Sequence, residues 1–274
     1  MFWVLSLGDD VFCLGVSRSS TGPTVFNVKG KQVVQPDPRQ SLSCQYSALA
    51  EYAGTQDSPA TLVKRVLEGI SDVQIAGLQE RYKAELDEFE AAGEFKYLDL
   101  PYWTYFKLRL ARELGLDKAP SLSILDLGAG AGHFARICNH FGHSITSLDV
   151  EVRVYEDIAR LLNVQRTIIR IEPEMPLPNF DRKFDLITAI AINFHQIEWN
   201  MRHWSLDQWK FLFNDLVSRQ LRFPGRIYFE LNKEYRGDRL VYNPEVLEFC
   251  ARNGAAVSEG GVIKWEFERW RALD

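Results

Sequence analysis

Ser123-Ile-Leu-Asp126-Leu-Gly128-Ala129-Gly130-Ala-Gly132-His133 is the stretch on which the fold turns. A short apolar run followed by three alternate glycines reads as a buried strand entering a tight turn. A helix is predicted to follow, from about Ala131 to Phe141. Working outward, Ser144-Ile-Thr-Ser-Leu-Asp149 reads as a second strand, with a helix near Tyr155 to Leu162. Thr167-Ile-Ile-Arg-Ile171 is a third strand, and Phe184-Asp-Leu-Ile-Thr-Ala-Ile-Ala-Ile192 a strongly apolar fourth. Glu172 to Lys183 holds Pro173, Pro176 and Pro178, so no regular helix is expected in that crossover. Ser205-Leu-Asp-Gln208 matches a capping box and opens a helix bearing Leu206, Trp209, Phe213, Leu216 and Val217. Pro224-Gly225 leads into a strand beginning at Arg226, and Asn243-Pro244 caps the last helix, which Gly254 ends. Ile263, Trp265 and Phe267 alternate with Lys264, Glu266 and Glu268, giving the closing strand one wet face. Apolar strands separated by helices mean a mostly parallel α/β sheet covered on both faces.

Two stretches precede this domain, which is assigned to residues 121–274. Residues 1–57 carry Gly, Ser and Pro among short apolar runs, and read as an irregular segment with room for one hairpin. Residues 58–120 turn helical and form an N-terminal extension or lid. Ser58-Pro59 is a cap-then-Pro start, with Leu62, Val63, Val66, Leu67 and Ile70 as one stripe. Ile75, Leu78, Tyr82, Leu86 and Phe89 form a second; Tyr102, Phe106, Leu110 and Leu114, after Pro101, form a third. Such stripes are core faces.

The totals exclude some classes of function. At 274 residues, 46% hydrophobic and 25% charged, the chain buries a sizeable core. A net charge of −5 gives no electrostatic footprint for nucleic acid, which is therefore not the expected partner. No apolar run approaches the roughly 20 residues that span a bilayer. The apolar Met1–Leu7 lacks a preceding basic region, which argues against a signal peptide. Cys13, Cys44, Cys138 and Cys250 show no metal-type pairing and read as reduced thiols of a cytoplasmic protein. His133, His140 and His143 have no metal-ligand spacing, and no metal site is expected.

Ligands of open parallel sheets sit beyond the carboxyl ends of the strands, where Gly128, Gly130 and Gly132 fall. Glycines permit a sharp turn and close approach, and the helix N-terminus behind them offers N–H groups. Asp149, ending the next strand, is placed to accept both hydroxyls of a ribose. A nicotinamide fingerprint needs its third glycine at position 133, where His133 stands. Asp126, just before the loop, repels a pyrophosphate and suits a cationic amino-acid group.

Ile124-Leu-Asp-Leu-Gly-Ala-Gly-Ala-Gly-His133 resembles the first motif of class I S-adenosylmethionine (SAM)-dependent methyltransferases. Leu148-Asp149 resembles their acidic strand end, Phe184-Asp185-Leu-Ile-Thr-Ala their fourth-strand motif, and Phe223-Pro-Gly-Arg-Ile-Tyr the turn before their fifth strand. The resemblance spans roughly residues 121 to 270, and Asn193-Phe-His-Gln-Ile197 with Trp204 to Phe213 also resembles bacterial methyltransferases of uncharacterised specificity. It implies a Rossmann-like sheet of seven strands, the last antiparallel, with SAM across the strand ends. By position it sets Gly128, Ala129, Gly130 and Gly132 against the methionine part of SAM, with Asp126 near the amino group. Asp149, with Val150 beside it, would hold the ribose. Ile171 or Glu172 stands where the adenine pocket takes a side chain, although the family more often has Gly-Asp there. Ala191 to His195 would face the reacting methyl.

His195 is the expected general base, since it follows that strand end and titrates near neutrality. A histidine that bonds the backbone or shapes the pocket is the equal alternative. Glu198 and His203, and Asn232 and Glu234 beyond the fifth strand, read as solvated loop groups. The expected acceptor is an oxygen or nitrogen of a small molecule or glycan intermediate. Two other readings stand beside it: a SAM-binding partner subunit without transferase activity, and a nicotinamide-dependent oxidoreductase.

Overall fold

The computed structural model of the chain describes residues 4–7, 10–13, 25–28, 31–34, 37–53, 59–88, 93–198, 202–236 and 239–274. Within 1–57 it places two antiparallel strand pairs, Val4–Leu7 with Asp10–Cys13 and Val25–Val28 with Lys31–Val34. It also places a helix there, α1 (Leu42–Ala53), in a stretch read from sequence as irregular. Its exposed face carries Ser43, Cys44 and Ser47, while Leu42, Gln45 and Leu49 are buried and Tyr46 packs partly against the same core, so the apolar stripe is thin. The helices α2 (Pro59–Val66), α3 (Asp72–Arg81), α4 (Lys83–Asp87) and α5 (Leu100–Glu113) follow. Ser58 and Phe89, given a cap and a stripe position above, lie outside the described residues. Asp99 caps α5 by accepting from the Tyr102 N–H at 3.1 Å, with Pro101 in its first turn.

The remaining chain alternates as expected. It runs β1 (Ser123–Leu127), α6 (His133–His140), β2 (Ser144–Asp149), α7 (Arg153–Leu161), β3 (Arg166–Ile168) and β4 (Phe184–Ile192). Then come α8 (Leu206–Asp215), β5 (Leu221–Leu231), α9 (Pro244–Arg252), β6 (Ala256–Val257) and β7 (Val262–Phe267). The seven strands form one sheet in the order β6-β7-β5-β4-β1-β2-β3. β7 runs antiparallel to both β5 and β6, and the pairs β5–β4, β4–β1, β1–β2 and β2–β3 are parallel. This is the Rossmann-like α/β sheet implied above, with its last strand reversed. The proline-bearing crossover between β3 and β4 contains no helix.

Alternation along the strands divides the core into two layers. Ile124, Leu186, Ile190 and Tyr228 face α1 to α7, so the helices of 58–120 share one core with that sheet face. Leu125, Leu127, Ile187, Ala189, Ile227 and Phe229 face α8 and α9. In the second layer Phe213 is fully buried, stacked with Trp209 at 5.5 Å and meeting Phe229 and Trp265 edge-on at 5.2 and 5.1 Å. The expected caps form: Ser205 and Gln208 make the reciprocal box, and Asn243 accepts from the Val246 N–H at 3.2 Å.

β3 is shorter than expected, Arg166–Ile168, and the start of β5 also differs. β5 begins at Leu221, ahead of the Pro-Gly turn, and its register against β4 shifts between Leu221 and Arg226. Pro224 and Gly225 therefore sit inside a bulge, the place where a strand tolerates proline. A Cβ on Gly225 would collide with the Arg222 carbonyl oxygen. Asp157, on α7, accepts from Arg81 at 2.6 Å, Tyr82 at 2.7 Å and Arg160 at 2.7 Å, tying the N-terminal helices to the sheet layer. No described helix is long and apolar enough to cross a membrane.

Candidate functional site

The loop after β1 passes between the ends of β2 and β4. The Gly128 and Ala129 N–H groups donate to the Leu148 carbonyl at 2.9 and 3.0 Å, pinning the turn to β2. Gly128, Gly130 and Gly132 have φ of +73°, +58° and +88°, a left-handed region that favours glycine. A Cβ at Gly132 would press on Val164 at 3.1 Å, and one at Gly128 on Ile192 at 3.3 Å. A Cβ at Gly130 would meet nothing within 4 Å, so that side of the loop is open to a ligand. Gly132 is also the N-cap residue of α6, whose N-terminus faces the turn.

Two of the predicted carboxylates border this loop. Asp149 accepts from the Gly130 N–H through Oδ2 and from the Val150 N–H through Oδ1 at 2.7 Å. Burial raises its pKa, and the Arg166 guanidinium, 3.6 Å away, works against that rise. Arg166 donates to the Val150 carbonyl at 3.0 Å and lies over the Tyr155 ring. Its Nε and Nη1 are buried without a hydrogen-bond partner among the described residues. Asp126 is buried on the α5 side of β1 and accepts from the Thr188 hydroxyl at 2.7 Å. Burial pushes its pKa to about 7, against the pull of the Thr188 hydrogen bond and Lys107.

Sequence reading missed the company Asp126 keeps. Glu230, on β5, is likewise raised to about 7 by burial, with Lys107 again opposing. Lys107, on α5, is lowered by burial and drawn back by both acids. A signal was present. Thr188 stands opposite Asp126 in the sheet register, and Glu230 interrupts the apolar run of β5; both put buried polarity where none is needed for packing.

The raised acid has a testable consequence. A carboxyl lifted to about 7 stabilises the fold while protonated, and that contribution disappears as pH climbs from about 4 towards 7. Asp126→Asn cannot ionise and keeps an acceptor for Thr188. Its stability relative to the parent is therefore expected to increase across that range and level off above it. Urea unfolding midpoints at several pH values read this directly; a difference independent of pH contradicts the buried-acid assignment.

The other predicted residues are placed unevenly. Ile171 is buried in the α8/α9 layer, near Leu177 and Phe184, and Glu172 is exposed 3.9 Å from Arg170. β3 ends at Ile168, so both stand beyond the strand. His133 is buried, bonded to Thr104 at 3.1 Å and to the Tyr97 carbonyl at 3.2 Å. Burial lowers its pKa to about 3, so the neutral ring donates to the carbonyl and accepts from the hydroxyl. Trp103 and Tyr105 are buried and Tyr102 is half-buried, while the Lys96 ammonium lies 5.1 Å from Tyr97 and 5.2 Å from Trp103.

At the end of β4 the backbone is strained. Ala191 has φ of +57°, uncommon for a residue with a side chain. The Asn232 amide donates to the Ala191 carbonyl at 2.9 Å and to Asn193 at 2.8 Å, lacing the two strand ends together. Just beyond, His195 is 2% exposed, with its ring 5.4 Å from Trp209 and 5.8 Å from His203. Burial, then the neighbouring His203, lowers its pKa to about 3. His203 and Glu234 are not solvated loop groups. Their side chains are 10% and 1% exposed and they converge on His195, with Glu234 Oε2 3.6 Å from His195 Nε2 and 3.7 Å from His203 Nδ1.

No protein-family model matches this chain, and no curated protein does either. Solved structures that match include ribosomal protein L11 methylase from Lactobacillus delbrueckii subsp. bulgaricus, at 19% identity, with 62% of this chain and 79% of that one covered and a TM-score of 0.40. A 1,6-didemethyltoxoflavin-N1-methyltransferase from Burkholderia thailandensis overlaps at 18% identity, 60% and 76% coverage and a TM-score of 0.38. An amino pentose methyltransferase from Micromonospora echinaspora overlaps at 15% identity and a TM-score of 0.35, with 47% of this chain and 50% of that one covered. Each overlap is partial.

Proposed function

We propose that the chain is a SAM-dependent methyltransferase acting on an oxygen or nitrogen of a small molecule or glycan intermediate. One observation carries the reading: the glycine loop has an acid on either side, Asp126 buried beside it and Asp149 fastened to its Gly130 N–H. An acid there disfavours a pyrophosphate and suits a cationic group. Lys107 adds the opposite charge near Asp126, so the two together match the zwitterionic end of a methionine moiety. The fit is favourable, because an ammonium partner offsets the cost of an ionised, buried Asp126. Asp149 retains acceptor sites for two ribose hydroxyls beyond the two backbone bonds it makes.

SAM, when bound, supplies an electrophilic methyl group on a sulfonium. The chain's own part is to hold the acceptor in line and keep water away. Ala191 and the Asn232 bridge fix the strand ends, and Phe194, Trp204 and Trp209 line that side with rings. His195 enters as a neutral imidazole. Burial makes it a weak base, which suits an acceptor that needs orientation more than deprotonation. The net charge of −5 disfavours nucleic acid as acceptor. Cys44, Cys138 and Cys250 are free thiols, in keeping with a reducing, cytoplasmic setting.

The test is acceptor-dependent release of S-adenosylhomocysteine over a panel of small amines, hydroxyls and glycan precursors. Turnover on at least one member is expected. SAM binding without turnover on any member would favour the non-catalytic subunit.

A further inference from the structure

Two side chains with no part in the proposed methyl transfer, His203 and Glu234, converge with His195. They come from separate places, just past β4, from the strand Arg202–His203, and from the strand Glu234–Arg236 beyond β5. One ligand atom of each lies within 4.8 Å of the other two. The separations of 3.6 and 3.7 Å from each imidazole to the shared Glu234 Oε2 exceed a normal N–H···O hydrogen bond. They are close to the separation of two ligands of one tetrahedral ion, about 3.4 Å for bonds of about 2.0–2.1 Å. His195 Nδ1 and both ring nitrogens of His203 are buried without a hydrogen-bond partner among the described residues. Stranding such an atom costs about 1–3 kcal/mol, and a shared ion would relieve His203 Nδ1, the one that faces Glu234. Trp209 packs on the His195 ring and is itself packed by Trp204 and Phe194, so that side of the cluster is dry.

We infer that His195, His203 and Glu234 form a mononuclear site for a divalent first-row transition ion such as zinc, bound through His195 Nε2, His203 Nδ1 and Glu234 Oε2. Two neutral imidazoles and one carboxylate are borderline ligands suited to zinc or ferrous iron, and three protein ligands leave a coordination position for an outside oxygen. The site stands at the β4 and β5 ends where the acceptor is proposed to bind. Its existence does not depend on that reading.

The experiment uses the intact chain, stripped with a chelator and titrated with Zn²⁺ against a chromophoric chelator, and separately with Co²⁺. One tight equivalent of zinc is expected, and the cobalt form is expected to show the intense visible bands of a four-coordinate site. His203→Ala and Glu234→Gln each remove a direct ligand and should weaken zinc binding roughly a hundredfold or more, since outer partners alone account for 10–100-fold. Far-UV circular dichroism checks that each variant is folded. SAM affinity on the same samples reports on the glycine loop separately, so failure of the metal site is distinguishable from failure of the methyltransferase reading. Absence of a tight zinc equivalent in the parent protein overturns the inference. So does undiminished binding in both variants. If neither variant folds, the cobalt spectrum of the parent decides alone: four-coordinate bands support the site, and their absence overturns it.

Discussion

Asp149→Ala is expected to weaken SAM binding at least tenfold while leaving the chain folded. Asp149 holds the loop by accepting from the Gly130 and Val150 N–H groups, and it is the carboxylate proposed to take the ribose hydroxyls. A hydrogen bond to a charged group is worth about 1.5–3 kcal/mol, and about 1.4 kcal/mol is a factor of ten in affinity. Losing even one such bond therefore meets the expected effect, and losing both exceeds it. Asp149→Asn separates the two duties: it keeps an acceptor for the loop N–H but gives up the charge, so its affinity should fall between those of the parent and the alanine variant. Isothermal titration of the three proteins checks the order. Equal affinities would place the cofactor elsewhere.

Phe213→Ala is expected to cost about 3–5 kcal/mol of stability, the range for deleting a buried aromatic side chain. Phe213 has no exposed surface and is ringed by Trp209, Phe229, Phe249 and Trp265, none of which can turn to fill the gap without breaking its own contacts. It joins α8 to both β5 and β7, so the loss falls on the layer that supports the β5 end and with it Asn232 and Glu234. Urea unfolding followed by tryptophan fluorescence measures it. A loss under about 1 kcal/mol would mean that α8 is not packed on the sheet in this way.

Much of this arrangement was legible because the sequence signals were local. Three alternate glycines after an apolar run fix a turn wherever they occur, and the capping box at Ser205 and the side-chain cap at Asn243 are complete within four residues. Strict alternation from Ile263 to Phe267 marks a half-exposed strand, and the structure buries those residues while exposing Lys264 and Glu266. What stayed hidden depends on residues far apart. His195 lies in the turn after β4 and Glu234 opens a short strand after β5, and only the pairing of β4 with β5 brings them together. Lys107 reads as one polar position on an amphipathic helix, and its role appears only when α5 is laid over Asp126 and Glu230. The α1 helix was missed because serines and a cysteine dilute its stripe. The early start of β5 was missed because Pro224-Gly225 reads as a turn, where the fold makes it a bulge.

The most direct test of the central claim, that the β1 loop with Asp126 and Asp149 cradles SAM, is calorimetric titration of the intact protein with SAM and, separately, NADH. One SAM bound per chain and no heat from NADH are expected. Binding of NADH without SAM would contradict the claim, returning the glycine loop to a dinucleotide role that the position of Gly132 and the charge of Asp126 argue against.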